Sequence, residues 1–269
     1  MGQDSDSRDK SAFNGPASII SFENRKKDFI SAKDQPSSII EIDLLPPPNQ
    51  NSLRRPIPQH IENARIRNSM ESINSHVEIS RLLDLLWDKD PETYSHCHRV
   101  ADVSQAIGRE MGLSAQERVE IYLCGLLHDI GKLLTPNHIL MKPGALTPEE
   151  FSVIRIHPED SGKIVRTVSD IAYLADPIRS HHERIDGKGY PDQKVGDKIP
   201  LYSRIVLVAD TFDAMTNNRV YRKQLDLAKT YDELTRCSGT QFDRSAATAF
   251  IALHQRFQDS AKKKSSVAA

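Results

Sequence analysis

From about residue 60 onward, apolar residues recur every three or four positions, and the alternation typical of a half-buried strand is almost absent. This spacing predicts helices that each bury one apolar stripe. In the first such helix the stripe comprises Ile73, Val77, Ile79, Leu82, Leu83 and Leu86, and Trp87 closes it. We therefore predict an all-α fold in which several helices form a bundle around a shared core.

Residues that favour helix starts mark the later helices. Asp90 followed by Pro91 predicts an N-cap with proline at the first helical position. Ser114 with Glu117, and Thr147 with Glu150, have the spacing of capping boxes. The apolar pattern predicts further helices over residues 169–180, 201–215, 227–235 and 244–257.

The first 59 residues differ in composition from the rest of the chain. They are rich in Ser, Asp, Asn, Lys and Pro, and their two short apolar patches have too few partners for a core. We predict a disordered or weakly ordered arm over residues 1–59, either without a role or regulatory. A helical lead-in over 60–89, a folded domain over 90–258 and a disordered tail over 259–269 are expected to follow.

The charge and cysteine content exclude several classes of function. A net charge of −1 gives the 269-residue chain no general attraction for DNA or anionic membranes, so a phosphate ligand needs a local basic cluster. An odd count of three cysteines without a CxxC motif argues against a disulfide framework and a thiolate zinc site. There is no signal-peptide pattern and no apolar run of membrane-spanning length, so we expect a soluble, cytoplasmic protein.

Histidines and acids lie at the ends or on the inner faces of the predicted helices. The candidate metal ligands are Glu92, His96, His128, Asp129, His157, His181, His182 and Asp210. Gly131 is expected to terminate the helix that ends at the His128-Asp129 pair. Pro158 is expected to push His157 out of helical geometry. In an all-α bundle, metal sites are built from such inward-facing side chains on neighbouring helices.

These residue types suit hydrolysis of a phosphodiester. Two metals about 3.5–4 Å apart can hold a bridging hydroxide as nucleophile and stabilise the phosphoryl oxygens. Asp129 has two oxygens and is the natural bridge, whereas neutral imidazoles complete the coordination without repelling the phosphate. Imidazole and carboxylate together favour Fe, Mn, Co, Ni or Zn over Mg or Ca. Each residue alone is a weak signal, but their combination in one helical domain predicts a metal-dependent phosphohydrolase.

The remaining histidines are expected to be structural or exposed. His98 lies two residues after His96 and therefore points away from the same helix face. The same interpretation applies to His60, His76, His138 and His254.

Longer motifs carry a family resemblance from about Asp90 to about Phe257. The chain has Glu92-x-x-x-His96, His128-Asp129-Ile130-Gly131-Lys132, Lys142-Pro143-Gly144-Ala145-Leu146-Thr147-Pro148-Glu149-Glu150, His157-Pro158, His181-His182-Glu183-Arg184-Ile185-Asp186-Gly187-Lys188-Gly189-Tyr190-Pro191, Asp210-Thr211-Phe212-Asp213-Ala214-Met215-Thr216, Arg219-Val220-Tyr221-Arg222-Lys223 and Gly239-Thr240-Gln241-Phe242-Asp243. With these motifs it resembles the HD-GYP domains of bacterial second-messenger signalling.

The resemblance implies a fold, an activity and residue roles. It implies an HD-domain helical bundle with the C-terminal helices of an HD-GYP domain. That family hydrolyses cyclic di-GMP to linear pGpG and often on to GMP, with two or three metals that are frequently Fe or Mn. The ligands it implies are His96, His128, Asp129, His157, His181, His182 and Asp210, and Glu92 marks the three-metal version.

The resemblance also implies substrate contacts. Lys132 corresponds to a lysine that contacts a substrate phosphate, and with His128 and Asp129 it completes the predicted catalytic set. Tyr190 corresponds to the tyrosine that approaches the nucleotide. Arg219 and Arg222 correspond to a basic pair that holds the second phosphate or a guanine. These arginines, with Lys223, form the basic cluster that an otherwise neutral chain needs for an anionic ligand.

Three alternatives remain at this stage. Two loops depart from the family pattern, at Leu133-Leu134-Thr135-Pro136-Asn137 and at the absence of proline before Tyr221. The substrate could therefore be another cyclic dinucleotide, such as a mixed guanine–adenine one. The domain could instead be a catalytically weak signalling scaffold that contacts protein partners through the N-terminal arm or the Gly-Tyr-Pro loop. A nucleotide phosphohydrolase of the wider His-Asp superfamily is disfavoured by the Gly-Tyr-Pro segment.

Overall fold

The computed structural model describes residues 70–217 and 226–267, with side chains over 76–217 and 226–258. The α-helices are α1 (Met70–Lys89), α2 (Pro91–Glu110), α3 (Ala115–Leu127), α4 (Asn137–Leu140), α5 (Pro148–Ile154), α6 (His157–Arg166), α7 (Ala175–Arg179), α8 (Leu201–Thr216), α9 (Leu227–Arg236) and α10 (Arg244–Val267). Short 3₁₀ helices span Ile130–Leu134, Ser169–Leu174 and Gly196–Lys198. Apart from one isolated bridge between Ser238 and Phe242, the described residues contain no β structure. The all-α prediction is confirmed.

The predicted helix starts are all formed. The Asp90 side chain accepts hydrogen bonds from the backbone N–H groups of Glu92 and Thr93 at the start of α2. Both capping boxes are present, from Ser114 at the start of α3 and from Thr147 at the start of α5. Each cap satisfies donors that a helix N-terminus leaves unpaired, and such a cap stabilises a protein by about 1 kcal/mol.

Helices α2, α3 and α8 pack against one another at the centre of the core. Gly125 of α3 allows α2 to approach closely, because a Cβ atom there would lie 2.8 Å from the Ala101 Cα. This close packing brings His96 of α2 near the C-terminal end of α3, where His128 and Asp129 lie.

Two predicted boundaries differ from the structure. Residues 169–180 form the 3₁₀ helix Ser169–Leu174 followed by α7 rather than one α-helix. The disordered tail predicted over 259–269 is wrong as far as Val267, because α10 continues to that residue. Ala261 and the lysines at 262–264 have high helix propensity, which favours this continuation of α10.

Some predictions fall on residues that the structure does not describe, among them the arm over 1–59, His60, Arg219 and Arg222. Over the part of the chain that is described, no helix combines the length and apolar character needed to cross a bilayer.

Candidate metal centre

The predicted ligands converge in two clusters of imidazole and carboxylate groups. One consists of His96, His128 and Asp129, and the other of His157, His181 and His182; within each, the ligand atoms lie within 4.8 Å of one another. All six side chains are buried except that of His182, which is partly exposed. Four helices or their ends, those of α2, α3, α6 and α7, therefore deliver side chains to one small region.

Two aspartates, Asp129 of the first cluster and Asp210 of α8, each contact both clusters. Asp129 Oδ2 is 3.4 Å from His128 Nε2, and Asp129 Oδ1 is 3.0 Å from His157 Nε2. Asp210 of α8 places Oδ1 3.2 Å from His96 Nε2 and Oδ2 4.0 Å from His182 Nδ1. Each carboxylate thus has one oxygen towards each cluster, which is the arrangement a bridging ligand requires.

Three of the histidines are oriented by the same kind of hydrogen bond to a backbone carbonyl. His128, His157 and His181 each have Nδ1 at 2.7 Å from the carbonyl oxygen three residues earlier. Those carbonyls belong to the last turns of α3, α5 and α7, where helical carbonyls lack intrahelical partners. Because a carbonyl only accepts, Nδ1 of each ring carries a proton, which leaves Nε2 as the nitrogen that can bind a metal.

His96 is oriented differently, by a carboxylate. Its Nδ1 donates to Asp213 Oδ2 at 2.6 Å, and Arg99 holds the same carboxylate through Nε at 2.6 Å and Nη2 at 3.0 Å. Asp213 was missed as a site residue. The signal was present in the sequence, since Asp213 lies one turn after Asp210 and Arg99 lies one turn after His96.

The electrostatics of the clusters suit metal ligation. Burial lowers the pKa of His181 well below its usual value and that of His182 to about 3, so both rings are neutral at pH 7. Burial alone would raise the pKa of Asp129, but Lys132 and the neighbouring histidines hold it well below its usual range. Burial also opposes charge on His128, but Asp129 outweighs it and raises its pKa, so a metal there must displace a proton.

The donor set fits divalent metals. His128 Nε2 is buried and has no hydrogen-bond partner within the described part of the chain, although its Nδ1 is paired. A buried imidazole nitrogen without a partner, surrounded by other imidazoles and two carboxylates, is well placed to bind a metal cation.

Gly131 has a packing role that the sequence analysis did not predict. It lies inside the 3₁₀ helix Ile130–Leu134, where a Cβ atom would stand 2.2 Å from the His157 carbonyl oxygen. Its N–H donates to Ser161 Oγ at 2.8 Å, and that hydroxyl donates to the His128 carbonyl at 2.7 Å. The interpretation of Gly131 as a helix terminator is therefore wrong: it lets α6 approach the His128-Asp129 turn.

His157 is the first residue of α6, so the prediction that Pro158 pushes it out of helical geometry is wrong. A proline near the start of a helix removes an N–H that has no intrahelical partner there. The short α5 ends next to this start, and its Ile154 carbonyl orients the His157 ring.

The Gly-Tyr-Pro loop covers one side of the clusters. The Tyr190 ring lies 4.8 Å from the His182 ring at an interplanar angle of 32°. Buried Glu183 holds the loop by accepting hydrogen bonds from the N–H groups of Asp192 at 2.6 Å and Lys194 at 3.0 Å. Gly189 allows the chain to pass closely, since a Cβ atom there would be 2.5 Å from the Glu183 Cα.

The other predicted site residues are placed as follows. Lys132 Nζ is 2.6 Å from Asp129 Oδ2 and partly exposed. Glu92 is exposed and belongs to neither cluster. Outside the clusters, His98 is buried beside the Tyr94 ring, His138 is exposed, and His254 packs among Phe212, Phe250 and Tyr231.

Comparison with known proteins agrees with this geometry. The family model of the HD domain matches residues 81–246. A cyclic di-GMP phosphodiesterase of Thermotoga maritima is 39% identical over 185 residues, covering 68% of this chain and 50% of the relative. A cyclic di-GMP phosphodiesterase of Pseudomonas aeruginosa is 34% identical over 198 residues, covering 72% of this chain and 48% of the relative.

A 3′3′-cGAMP-specific phosphodiesterase of Vibrio cholerae is 41% identical over 139 residues, covering 52% of this chain and 32% of the relative. The chain thus spans about half the length, or less, of these curated relatives. An HD-GYP-type protein from Bdellovibrio bacteriovorus has the same fold, with a TM-score of 0.53 at 17% identity over 73% of this chain and 68% of that one. The HD domain model covers more than half of this chain, which shows that the chain belongs to the HD domain family, and its motifs resemble those of the HD-GYP group.

Proposed function

We propose that this chain is a metal-dependent phosphodiesterase that hydrolyses cyclic di-GMP to linear pGpG and on to GMP. The observation that carries the proposal is the pair of ligand clusters spanned by Asp129 and Asp210, with the Lys132 ammonium at their edge. The names of relatives that act on cyclic di-GMP support the choice of substrate.

Seven residues are proposed to hold two divalent metals: His96, His128, Asp129, His157, His181, His182 and Asp210. When bound, the metals supply a water nucleophile of lowered pKa and stabilise charge on the phosphoryl oxygens. Their proposed identity is Fe or Mn, in keeping with the imidazole and carboxylate donors. Glu92, one turn before His96 and exposed, is proposed as a ligand only for a third metal.

The remaining roles follow from position. Lys132 is proposed to pair with an oxygen of the phosphate under attack, because its ammonium lies beside Asp129 and is partly exposed. Tyr190, whose ring lies next to that of His182, is proposed to approach the nucleotide, as the family resemblance implies. Arg219 and Arg222 are proposed to bind the second phosphate or a guanine, as the family resemblance implies.

A second candidate substrate is a mixed guanine–adenine cyclic dinucleotide. The relative named as 3′3′-cGAMP-specific has the highest identity of the three sequences compared, although over a shorter stretch. Protein partners for the N-terminal arm or the Gly-Tyr-Pro loop, and a cytoplasmic location, stay predictions.

The test is anaerobic purification, metal analysis and incubation with cyclic di-GMP, followed by chromatography of the products. We expect at least two metals per chain and the appearance of pGpG, then GMP. Parallel incubation with 3′3′-cGAMP ranks the two substrates by kcat/KM. A metal-loaded protein that leaves both dinucleotides intact would contradict the proposal and favour a signalling scaffold.

A further inference from the structure

A stack of three side chains leads outward from the metal-binding clusters. His182 belongs to the second cluster, and the Tyr190 ring lies 4.8 Å from its ring. The guanidinium carbon of Arg155 lies over the Tyr190 ring, 4.4 Å from its centroid. Arg155 therefore contacts Tyr190, which in turn contacts His182, and Arg155 is exposed.

The backbone places Arg155 at this position. It is the C-terminal cap of α5, and its N–H donates to the Phe151 carbonyl at 3.0 Å. Two residues later comes His157, whose ring is fixed by the carbonyl of Ile154. Arg155 thus lies in the short junction between α5 and α6, which also positions the predicted metal ligand His157.

The guanidinium of Arg155 forms no ion pair with a carboxylate among the described residues. Other arginines near the site are paired in this way: Arg99 with Asp213, Arg179 with Asp192, and Arg184 with Asp186. Lys132 is likewise paired with Asp129. A guanidinium held over an aromatic ring keeps N–H donors at its edge, in a fork that matches two phosphate oxygens.

We propose that Arg155 is a substrate-binding residue that recognises the phosphate of the cyclic dinucleotide that is not cleaved. This inference rests on the function proposed above. A cyclic dinucleotide carries two phosphodiesters, each with one negative charge, on opposite sides of its ring. The phosphate under attack is proposed to lie beside Lys132, so the other phosphate lies away from it. There Arg155 adds a cation to Arg219 and Arg222, the pair proposed above for the second phosphate or a guanine.

The experiment compares Arg155→Ala and Arg155→Lys with the unaltered protein on two substrates. Cyclic di-GMP has two phosphates, whereas bis(p-nitrophenyl) phosphate has only the one that is cleaved. For Arg155→Ala we expect KM for cyclic di-GMP to rise about tenfold, the effect of losing one charge-assisted contact, with a smaller change in kcat. The loss of kcat/KM on bis(p-nitrophenyl) phosphate should be several times smaller, and Arg155→Lys should be intermediate on cyclic di-GMP.

Arg166→Ala is the matched control. Arg166 is an exposed arginine at the far end of α6, roughly 13 Å along the helix from His157. The Arg166→Ala substitution removes the same charge as Arg155→Ala, so an unchanged KM for cyclic di-GMP in this variant excludes a general electrostatic effect.

The outcomes separate this inference from the proposed function. An unaltered protein that does not hydrolyse cyclic di-GMP would overturn the function and the inference together. An active protein whose Arg155→Ala variant keeps its KM, or loses the same factor on both substrates, would overturn the role of Arg155 alone.

Discussion

The inner part of the site and its rim are built in different ways. In the inner part, three histidine rings are locked by carbonyls of helix ends and a fourth by Asp213, all with hydrogen bonds of 2.6–2.7 Å. At the rim, Tyr190 lies on a loop held by one buried glutamate, and the Arg155 side chain is exposed. Directional hydrogen bonds fix the histidine rings of the inner part, whereas stacking and the anchored loop position Tyr190 and Arg155 at the rim.

This difference separates chemistry from substrate choice. Metal ligands must converge to within a few tenths of an ångström, and rigid helix ends supply that accuracy. Contacts to the substrate tolerate more variation, and loops can change without disturbing the fold. Substitutions inside should therefore reduce metal binding and turnover, whereas substitutions at the rim should mainly change KM.

The largest effect is expected for Asp129→Asn. The amide cannot offer a charged oxygen to both clusters, so metal content should fall and turnover of cyclic di-GMP should drop by at least about 10³-fold, as for residues that act as a catalytic unit. Metal analysis and steady-state kinetics measure the two losses. Asp197→Asn, at a fully exposed carboxylate, is the control. Full metal content and turnover in Asp129→Asn would show that Asp129 is no bridge.

Asp213→Asn should have the next largest effect. It keeps the size of the side chain but weakens the hydrogen bond that orients His96 and leaves Arg99 without its carboxylate. Loss of such a partner typically costs 10–100-fold in metal affinity or activity. Competition with a chelator measures the affinity directly. If it is unchanged, Asp213 serves only to pair with Arg99, and His96 is held by packing.

Gly131→Ala tests whether the inner part depends on the close approach of α6. The added methyl group meets backbone atoms of His157 and Ser161, which cannot move without displacing the His157 ring. We expect a loss of about 1–3 kcal/mol in the free energy of unfolding, as for overpacked cores, together with weaker metal binding. Gly108→Ala is the control, since its Cβ would meet only side-chain atoms, the nearest at 3.2 Å. Equal stability of the two variants would argue against the packing role.

Prediction from sequence succeeded where a local pattern determines the structure. Caps and apolar periodicity were sufficient for most helices, and the histidine and aspartate motifs were sufficient to identify side chains that lie together in the two clusters. The role of Gly131 could not be deduced, because it depends on His157, 26 positions later. The carbonyl partners of the histidines and the stack of Arg155 on Tyr190 likewise depend on where helices end in space. Such contacts between distant parts of the chain leave little trace in a single sequence.

Glu183→Gln tests the rim and should have the smallest effect. The neutral side chain retains its volume, but its amide nitrogen cannot accept a hydrogen bond. One of the N–H groups of Asp192 and Lys194 therefore loses its acceptor, so the loop that carries Tyr190 should loosen. We expect KM for cyclic di-GMP to rise by about threefold to tenfold, equivalent to roughly 0.7–1.4 kcal/mol, with metal content unchanged. Glu149→Gln, at an exposed glutamate of α5, is the control. A loss of metal in Glu183→Gln would contradict the division between inner part and rim, because it would show that the loop also holds His182 in place.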